Sequence, residues 1–395
     1  MRRVIVHIDL NAFFVRAEEI KNPSLEGKPV AIGHIGRGGI VSTCSYKARS
    51  FGVTSGMPMF KAMELCPSLI VISGDYHYYN ALSHEFFTLV RKYAGEIEMA
   101  SIDECFADFT EQTKNVKDVI SYFRNLQNDL YIKTKLRCSI GVGPTKFLAK
   151  MGSDYKKPMG LTIIRKKDIK NILYPLPISS MFGIGKKSSP KLEAKGIKTI
   201  GDLADIVFSK QDLGKELLGK FFYTVKEWLS GDGDDKIATK RQEAKSLGVS
   251  TTLQENTNNF NMIKETLKNL CAEVSYKVKK DGMVGSTIQI VVKEENFKIH
   301  NKSMALISPT NDKYEIYRIA VKLYEENFKD LIIRLVGVTL QNLSKKDNLM
   351  VQMSLFDDIA PAPEENVTKK LINEINKKMD KEVLKRASDF KRNNK

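Results

Sequence analysis

Two adjacent carboxylates, Asp103 and Glu104, interrupt an otherwise apolar, strand-like segment at residues 99–108. Neighbouring side chains in a strand point to opposite faces, whereas two consecutive side chains at a hairpin tip can be aimed at one point. We therefore predict a hairpin or strand end with both carboxylates at its tip.

A second short apolar strand, residues 4–8, ends in another carboxylate, Asp9. If the two strands are neighbours, three carboxylates converge at one edge of a sheet. Such a cluster repels itself and raises its own pKa values unless divalent cations are bound. Because Mg²⁺ prefers a few carboxylate oxygens together with water and phosphate, the pattern favours metal-assisted phosphoryl transfer. A solvated turn is the alternative interpretation of the Asp103–Glu104 pair.

Composition restricts the classes of partner. A chain of 395 residues is too long for a single hydrophobic core, so we predict three or four domains. A net charge of +16 suits a polyanionic partner. No apolar run approaches the ~20 residues that span a bilayer, and we expect no signal peptide. The five scattered cysteines predict reduced core residues of a cytoplasmic protein.

Two pairs of residues and one lysine are candidates for binding a substrate. A helix begins just beyond Asp9 and carries Phe13 and Phe14, of which one is expected in the core while the other can line a substrate pocket. Tyr46 and Arg49 lie three residues apart on one predicted helix, and can present a phenol and a guanidinium to a triphosphate. An ordinary surface pair is the alternative.

A basic loop at residues 155–160 follows the predicted helix 146–153. Pro158 prevents the helix from continuing, so we expect Lys157 to lie on a loop that is free to face phosphate.

Residues 181–203 have the pattern of a helix–hairpin–helix. The turn at Gly183 and Gly185, next to Lys186, can offer backbone N–H groups to a phosphate without contacting bases. Pro190 is tolerated only in a first helical turn, so the second helix is expected to begin late. An ordinary helical hairpin remains the alternative.

After a polar linker, residues 245–343 follow the order βαββαβ, which predicts a separate, lysine-rich α/β domain. The tail contains an apolar pentapeptide, residues 352–356, which includes Gln352, Leu355 and Phe356. Because an exposed apolar segment is unfavourable in water, we expect it to dock on a partner. Residues 368–390 fit either a packed helix or a disordered basic tail.

In this order, the motifs resemble the Y-family DNA polymerases of the bacterial polymerase IV and V type, over residues 1 to about 345. The resemblance implies a multidomain α/β fold shaped like a right hand. The implied parts are an α/β palm (1–10 and 70–165), small fingers (11–69), a helical thumb with the helix–hairpin–helix (166–232), a linker (233–244), a βαββαβ little finger (245–344) and a tail (345–395).

The resemblance also implies roles for individual residues. Asp9 and Asp103 would bind two Mg²⁺ ions, with Mn²⁺ as a substitute, assisted by the Leu10 backbone carbonyl and by Glu104 as the catalytic acidic residue. Phe14 matches the steric gate that excludes a ribose 2′-hydroxyl. The implied nucleotide contacts are Phe13, Phe14, Thr43, Tyr46, Arg49 and Lys157.

The implied partners are primer–template DNA, held in part by Gly183, Gly185 and Lys186, deoxynucleotides, and a sliding clamp bound through residues 352–356. We expect a monomer with no membrane association. Small residues at 42–44 near the nascent base pair predict low fidelity and synthesis past damaged bases, and no stretch resembles a proofreading exonuclease. Asn11 stands where many relatives carry aspartate, a position that is not a metal ligand in the family pattern.

Two rival functions share part of this pattern. A nucleotide cyclase or another two-metal palm enzyme would need the carboxylates, but not the helix–hairpin–helix, the clamp-like peptide or the charge of +16. A DNA-binding accessory protein that had lost catalysis would have no need of the three carboxylates with Tyr46, Arg49 and Lys157.

Overall fold

The computed structural model describes residues 3–239 and 243–346. The chain divides into two compact units, Met1–Ala244 and Lys245–Lys395. The strands of the first unit are β1 (Ile5–Leu10), β2 (Val30–Ile32), β3 (Thr43–Cys44), β4 (Ile70–Ile72), β5 (Ile97–Met99), β6 (Glu104–Asp108), β7 (Cys138–Gly143) and β8 (Leu161–Ile163). Its helices are α1 (Phe13–Lys21), α2 (Tyr46–Arg49), α3 (Met59–Leu65), α4 (Tyr76–Ala94), α5 (Thr110–Thr113), α6 (Val119–Thr134), α7 (Lys146–Tyr155), α8 (Ile169–Ile172), α9 (Ser189–Glu193), α10 (Ile200–Ser209), α11 (Gln211–Leu218) and α12 (Phe221–Ser230).

A five-stranded sheet in the order β5-β6-β1-β7-β8 forms the centre of the first unit. The central strand β1 is fully buried and runs antiparallel to both neighbours, β6 and β7. The register places Asp9 opposite Glu104 on one side and Ser139 on the other. The predicted neighbourhood of the two acidic strands is therefore confirmed, because both strands are apolar enough to share one core.

Two further parts of the first unit have their own hydrophobic clusters. Strands β3-β2-β4 form a small sheet that packs with α2 and α3 around Ala48, Met59 and Ala62. Helices α8 to α12 enclose a third cluster, which includes Phe147 and Met151 from α7. Helix α9 begins at Ser189 with Pro190 in its first turn, as the sequence predicted.

The second unit has the predicted order βαββαβ. Its elements are β9 (Ser246–Thr257), α13 (Phe260–Lys280), β10 (Met283–Glu294), β11 (Ile299–Thr310), α14 (Lys313–Asn327) and β12 (Ile333–Lys345). They form an antiparallel sheet in the order β11-β10-β12-β9, with both helices packed on its apolar face. Strands β10 and β11 continue beyond their apolar residues, because polar residues on their outer face break the apolar run without ending the strand.

The acidic segment after α12, predicted as a linker, lies against the first unit through a series of ion pairs and hydrogen bonds. The contacts are Lys166 with Asp232 (2.8 Å), Lys146 with Asp234 (3.0 Å), Arg3 with Asp235 (3.2 Å) and the Glu98 carboxylate with the backbone N–H of Ala238 (2.7 Å). Lys146 is the least exposed of the three cations and also contacts Glu98 at 2.5 Å. Residues 232–238 are thus held in place by contacts spread along their length.

We expect Lys146→Met to loosen this segment. Loss of its partly buried pairs should cost about 1 kcal/mol locally, which corresponds to about fivefold faster amide hydrogen exchange over residues 232–238. Hydrogen–deuterium exchange of peptides from this region measures the effect. Lys215→Met, which removes an exposed pair with Asp212 on α11, is the matched control and should leave the exchange unchanged. Equal exchange in both variants would contradict the role given to Lys146.

All five cysteines are free and buried, as predicted. Among the helices of the described residues, none combines the length and the apolar character needed to cross a membrane.

Candidate active site

Two of the three carboxylates, those of Asp9 and Glu104, meet where β1 ends and β6 begins. Asp9 and Glu104 are paired across the two strands, and Asp103 lies in the turn just before Glu104. The Leu10 N–H donates to the Asp103 carbonyl oxygen at 2.9 Å, which holds this turn against β1. The Asp103 carboxylate accepts a hydrogen bond from the Ser101 hydroxyl at 2.5 Å. The predicted hairpin with its carboxylates at the tip is confirmed.

Two lysines that lie far from these strands in sequence contact the carboxylates. The Lys150 ammonium on α7 lies 3.1 Å from Asp9 Oδ2 and 2.7 Å from Glu104 Oε2. The Lys157 ammonium lies 2.7 Å from Asp9 Oδ1 and 2.8 Å from Asp154 Oδ1. Lys157 lies on a loop beyond α7, as predicted, where Asp9 and Asp154 attract its ammonium; its contact with phosphate stays a prediction.

The electrostatics of the site depend on these pairs. Contact with His7 and the Lys150 ammonium outweighs burial and holds the pKa of Glu104 well below its usual range. Burial opposes the charge of Lys150, but Asp9, Asp154 and Glu104 outweigh it and raise the pKa of this lysine. Burial, followed by the charges of Asp9 and Glu104, raises the pKa of Asp103.

The carboxylates of this cluster fit a hard divalent cation, which prefers oxygen ligands, whereas an imidazole suits a softer metal. His7, Asp9 and Glu104 each offer a ligand atom, and these atoms lie within 4.8 Å of one another. The Asp103 carboxylate is outside this group and is turned toward Ser101. Two ammonium groups already lie on the oxygens of Asp9 and Glu104, so the site stabilises positive charge at the position where a cation would bind.

The predicted triphosphate residues lie beside this cluster. The Arg49 guanidinium stacks on the Tyr46 ring at 4.7 Å from its centre, on a helix capped by Ser45. Burial raises the pKa of Tyr46, and the charges of Arg49 and Lys157 lie close enough to oppose this shift. Thr43, in β3, is half-buried.

The aromatic pair on α1 divides as the sequence predicted. Phe13 is 3% exposed and belongs to the core, so only its backbone can meet a substrate. Phe14 is half-buried, and its ring stacks on Tyr79 with 4.5 Å between ring centres and 13° between planes. The edge of Tyr76 meets the same ring at 5.6 Å. Helix α1 begins at Phe13 without a side-chain cap, which leaves backbone N–H groups of its first turn available to an anion.

Tyr79 is fully buried and its hydroxyl donates to Glu18 at 2.6 Å. Because Tyr79→Phe leaves the buried Glu18 carboxylate short of a donor, we expect a loss of about 2 kcal/mol in the free energy of unfolding. Urea denaturation measures it. Tyr78→Phe, on the half-buried neighbouring position, is the control and should change stability by less than about 0.5 kcal/mol. Equal stability of the Tyr79→Phe variant and the wild type would contradict the assignment.

The helix–hairpin–helix turn has a geometry that requires glycine. Gly183 has φ +88°, and a Cβ atom there would lie 2.7 Å from Phe221 Cζ. At Gly185 a Cβ atom would meet open space, and Lys186 is exposed. Trp228 stacks on Phe147 of α7 with ring centres 4.6 Å apart, and it packs against Phe182 of the turn with ring centres 5.6 Å apart.

One expectation about the pocket wall is wrong. Cys44 is fully buried and its thiol donates to the Val53 carbonyl at 3.4 Å, so it cannot line a nascent base pair. Alternation along β3 turns it into the cluster around Met59, whereas Ser42 is exposed. Gln352, Leu355 and Phe356 lie outside the described residues.

Sequence reasoning missed His7, Lys150, Ser153 and Asp154. Two signals were present. His7 is two residues before Asp9 in a strand, so both side chains point to the same face. Lys150, Ser153 and Asp154 fall at helical spacing on α7, which makes them neighbours on its surface.

Known proteins resemble this chain in both sequence and structure. The sequence profile of the impB/mucB/samB family matches residues 8–154, its C-terminal domain profile matches residues 244–355, and the helix–hairpin–helix motif of the same family matches residues 166–197. DNA polymerase IV of Bacillus velezensis is 35% identical, over 99% of this chain and 94% of its own length. A Y-family DNA polymerase chimera of Dbh and Dpo4 is similar in structure, with a TM-score of 0.77, 29% identity, and coverage of 87% of this chain and 99% of the other. The insertion ternary complex of Dbh DNA polymerase matches with a TM-score of 0.59 at 29% identity and the same coverage.

Fold, site and comparisons together define the class of protein, a DNA-directed DNA polymerase of the Y-family. Within that class, the chain belongs to the impB/mucB/samB family.

Proposed function

We propose that this protein is a low-fidelity, template-directed polymerase that adds deoxynucleotides to a primer 3′-hydroxyl with two Mg²⁺ ions, or Mn²⁺ in their place, during synthesis past damaged bases. The observation that carries the proposal is the pairing of Asp9 with Glu104 beneath the ammonium groups of Lys150 and Lys157. We further propose that it acts in the cytoplasm as a monomer. Its palm, fingers, thumb and little finger would have the boundaries that the family resemblance implies.

Asp9, Asp103 and Glu104, with the Leu10 carbonyl, would hold the cations. The charge of divalent cations held by these residues would lower the pKa of the primer hydroxyl and offset the charge of the leaving pyrophosphate. Arg49, Tyr46 and Lys157, together with Thr43 and the uncapped first turn of α1, bind and orient the triphosphate. Lys157 would exchange its contact with Asp9 for a phosphate oxygen.

Phe14 selects the sugar. Its ring is held by Tyr79 and by the edge of Tyr76, so it cannot move far to admit a ribose 2′-hydroxyl. Among residues 42–44 of the proposed fingers, only the small side chain of Ser42 is exposed. Such a surface checks the shape of a base pair weakly, and low fidelity follows from this. No proofreading activity is proposed.

DNA is proposed to lie along the basic surfaces. The backbone at Gly183 and Gly185, with exposed Lys186, would contact one phosphate segment, and the lysine-rich second unit another. An insertion ternary complex is recorded for the Dbh DNA polymerase, and for this chain we propose DNA and nucleotide as ligands. Affinity for DNA should fall steeply with salt.

Gln352, Leu355 and Phe356 are proposed to bind a sliding clamp through β-strand or pocket docking of the apolar pair. Replacing Leu355 and Phe356 by alanine should abolish capture by an immobilised bacterial clamp, with wild-type activity on short primers unchanged. Capture that survives the double replacement would refute the assignment.

Single-nucleotide insertion opposite an abasic site and opposite normal bases tests the proposed function. We expect insertion opposite the lesion within about 100-fold of normal efficiency, frequent misinsertion on undamaged template, and no shortening of a mismatched primer. A polymerase that stalls completely at the lesion while copying accurately would overturn the translesion role.

A further inference from the structure

His7 lies directly behind the carboxylate pair and has no role in the function proposed above. Its side chain is fully buried, and its ring packs against Phe106 with centres 4.5 Å apart. Its Nδ1 atom lies 2.8 Å from the Ser153 hydroxyl oxygen, and its Nε2 atom lies 3.3 Å from Glu104 Oε2, a close contact that falls short of hydrogen-bond geometry. The imidazole therefore connects α7 to the acidic cluster.

The partners of the ring determine where its proton resides. An ionised carboxylate only accepts hydrogen bonds, whereas a serine hydroxyl can donate or accept. A proton on Nε2 faces the Glu104 carboxylate favourably, while a lone pair there would repel it. Nδ1 is then the acceptor, so this tautomer requires the single proton of the Ser153 hydroxyl to point to Nδ1, 2.8 Å away, and not to the Lys150 carbonyl oxygen, 2.9 Å away, to which the hydroxyl otherwise donates.

This arrangement affects Glu104 oxygen Oε2, which is also the atom contacted by Lys150 at 2.7 Å. The lysine competes with a bound cation because both are positive, so its contact must weaken when a cation binds. A neutral N–H donor does not compete in this way. It can orient the carboxylate while leaving the full negative charge for the cation.

We propose that His7 is a positioning residue that holds Glu104 Oε2 in place for cation binding, and that Ser153 fixes the ring tautomer this requires. The proposal rests on the proposed function, in which Glu104 serves the catalytic cations. His7 acts only through Glu104 and touches no reacting atom.

Two replacements of His7 separate this role from a packing role. The amide nitrogen of glutamine reaches the position of Nε2, whereas that of asparagine reaches the position of Nδ1. We expect His7→Gln to keep the turnover number within about fivefold, and His7→Asn to lower it by about 10- to 100-fold. The Michaelis constant for the deoxynucleotide should change by less than about threefold in both, because nucleotide contacts are untouched.

Mn²⁺ binding, followed by electron paramagnetic resonance without DNA or nucleotide, provides a readout independent of catalysis. His7→Asn should weaken Mn²⁺ binding by about tenfold, and His7→Gln should leave it near the wild-type value. Ser153→Ala, a smaller change on the other side of the ring, should weaken it by about threefold and keeps the test valid if either His7 variant fails to fold. Thermal melting identifies the folded variants.

The outcomes are distinct. Higher Mn²⁺ affinity in the asparagine variant than in the glutamine variant, or no difference between them, would overturn the proposal. An equal loss in both would make the imidazole a metal ligand, which also overturns it. If wild-type protein binds Mn²⁺ with the expected order of variants but extends no primer, the proposed function fails while the role of His7 stands.

Discussion

Replacing Asp9 with asparagine is expected to lower primer extension by about 10³-fold. The change keeps the size of the side chain but removes the charge that faces both Lys150 and Lys157, at 3.1 and 2.7 Å. The variant should therefore fold, since the two lysines retain Glu104 and Asp154 as partners, yet bind cations poorly. Single-turnover extension at saturating DNA measures the loss.

Asp154→Asn is the matched control. Asp154 contacts the same two lysines, at 3.5 and 2.8 Å, but is not among the residues that group as metal ligands. Its replacement should change the rate by less than about tenfold, because it removes only a partly exposed ion pair. Comparable losses in the two variants would mean that charge on the lysines, and not cation binding at Asp9, controls the rate.

Phe14→Ala should allow ribonucleotides to be incorporated. A ring packed against Tyr79 excludes a 2′-hydroxyl by overpacking, a mechanism worth about 1–3 kcal/mol, so discrimination against ribonucleotides should fall about 10- to 100-fold. The ratio of kcat/KM for a deoxynucleotide to that for its ribonucleotide, measured on one template, gives the effect. Deoxynucleotide incorporation should fall much less.

Phe60→Ala serves as the control for this substitution. Phe60 is 67% exposed on α3, and its replacement by alanine removes the same ring outside the cluster of Phe14, Tyr76 and Tyr79. Its sugar discrimination should equal that of the wild type. If Phe14→Ala also retains full discrimination, another residue is the gate.

The sequence predicted the elements of the site better than their connections. Asp9, Asp103 and Glu104 stood out because charge ends an apolar strand, and Tyr46 with Arg49 because helical spacing is local. Lys150 was missed because a lysine on a helix is ordinarily solvated, and only the packing of α7 against β1 brings it to the carboxylates. Contacts between residues about 140 positions apart depend on tertiary packing, which no local pattern encodes.

His7 and Cys44 illustrate the same limit within single strands. His7 was missed although alternation was enough to place it on the face of Asp9, and nothing in the sequence indicated that Ser153 would contact its ring. Cys44 lies next to residues that face the site, yet the direction of β3 turns it into the core. The side that a short strand presents to its core is fixed by what packs there.

In the proposed function, Asp9 and Glu104 serve cation-dependent, template-directed DNA synthesis. Extension of a labelled primer by the wild-type protein, with Mg²⁺ titrated from zero and each deoxynucleotide supplied singly, tests it most directly. We expect no extension without the cation and, with it, the preferred addition of the nucleotide complementary to the template. Salt-sensitive DNA binding without extension at any Mg²⁺ or Mn²⁺ concentration, or extension indifferent to the template base, would contradict it.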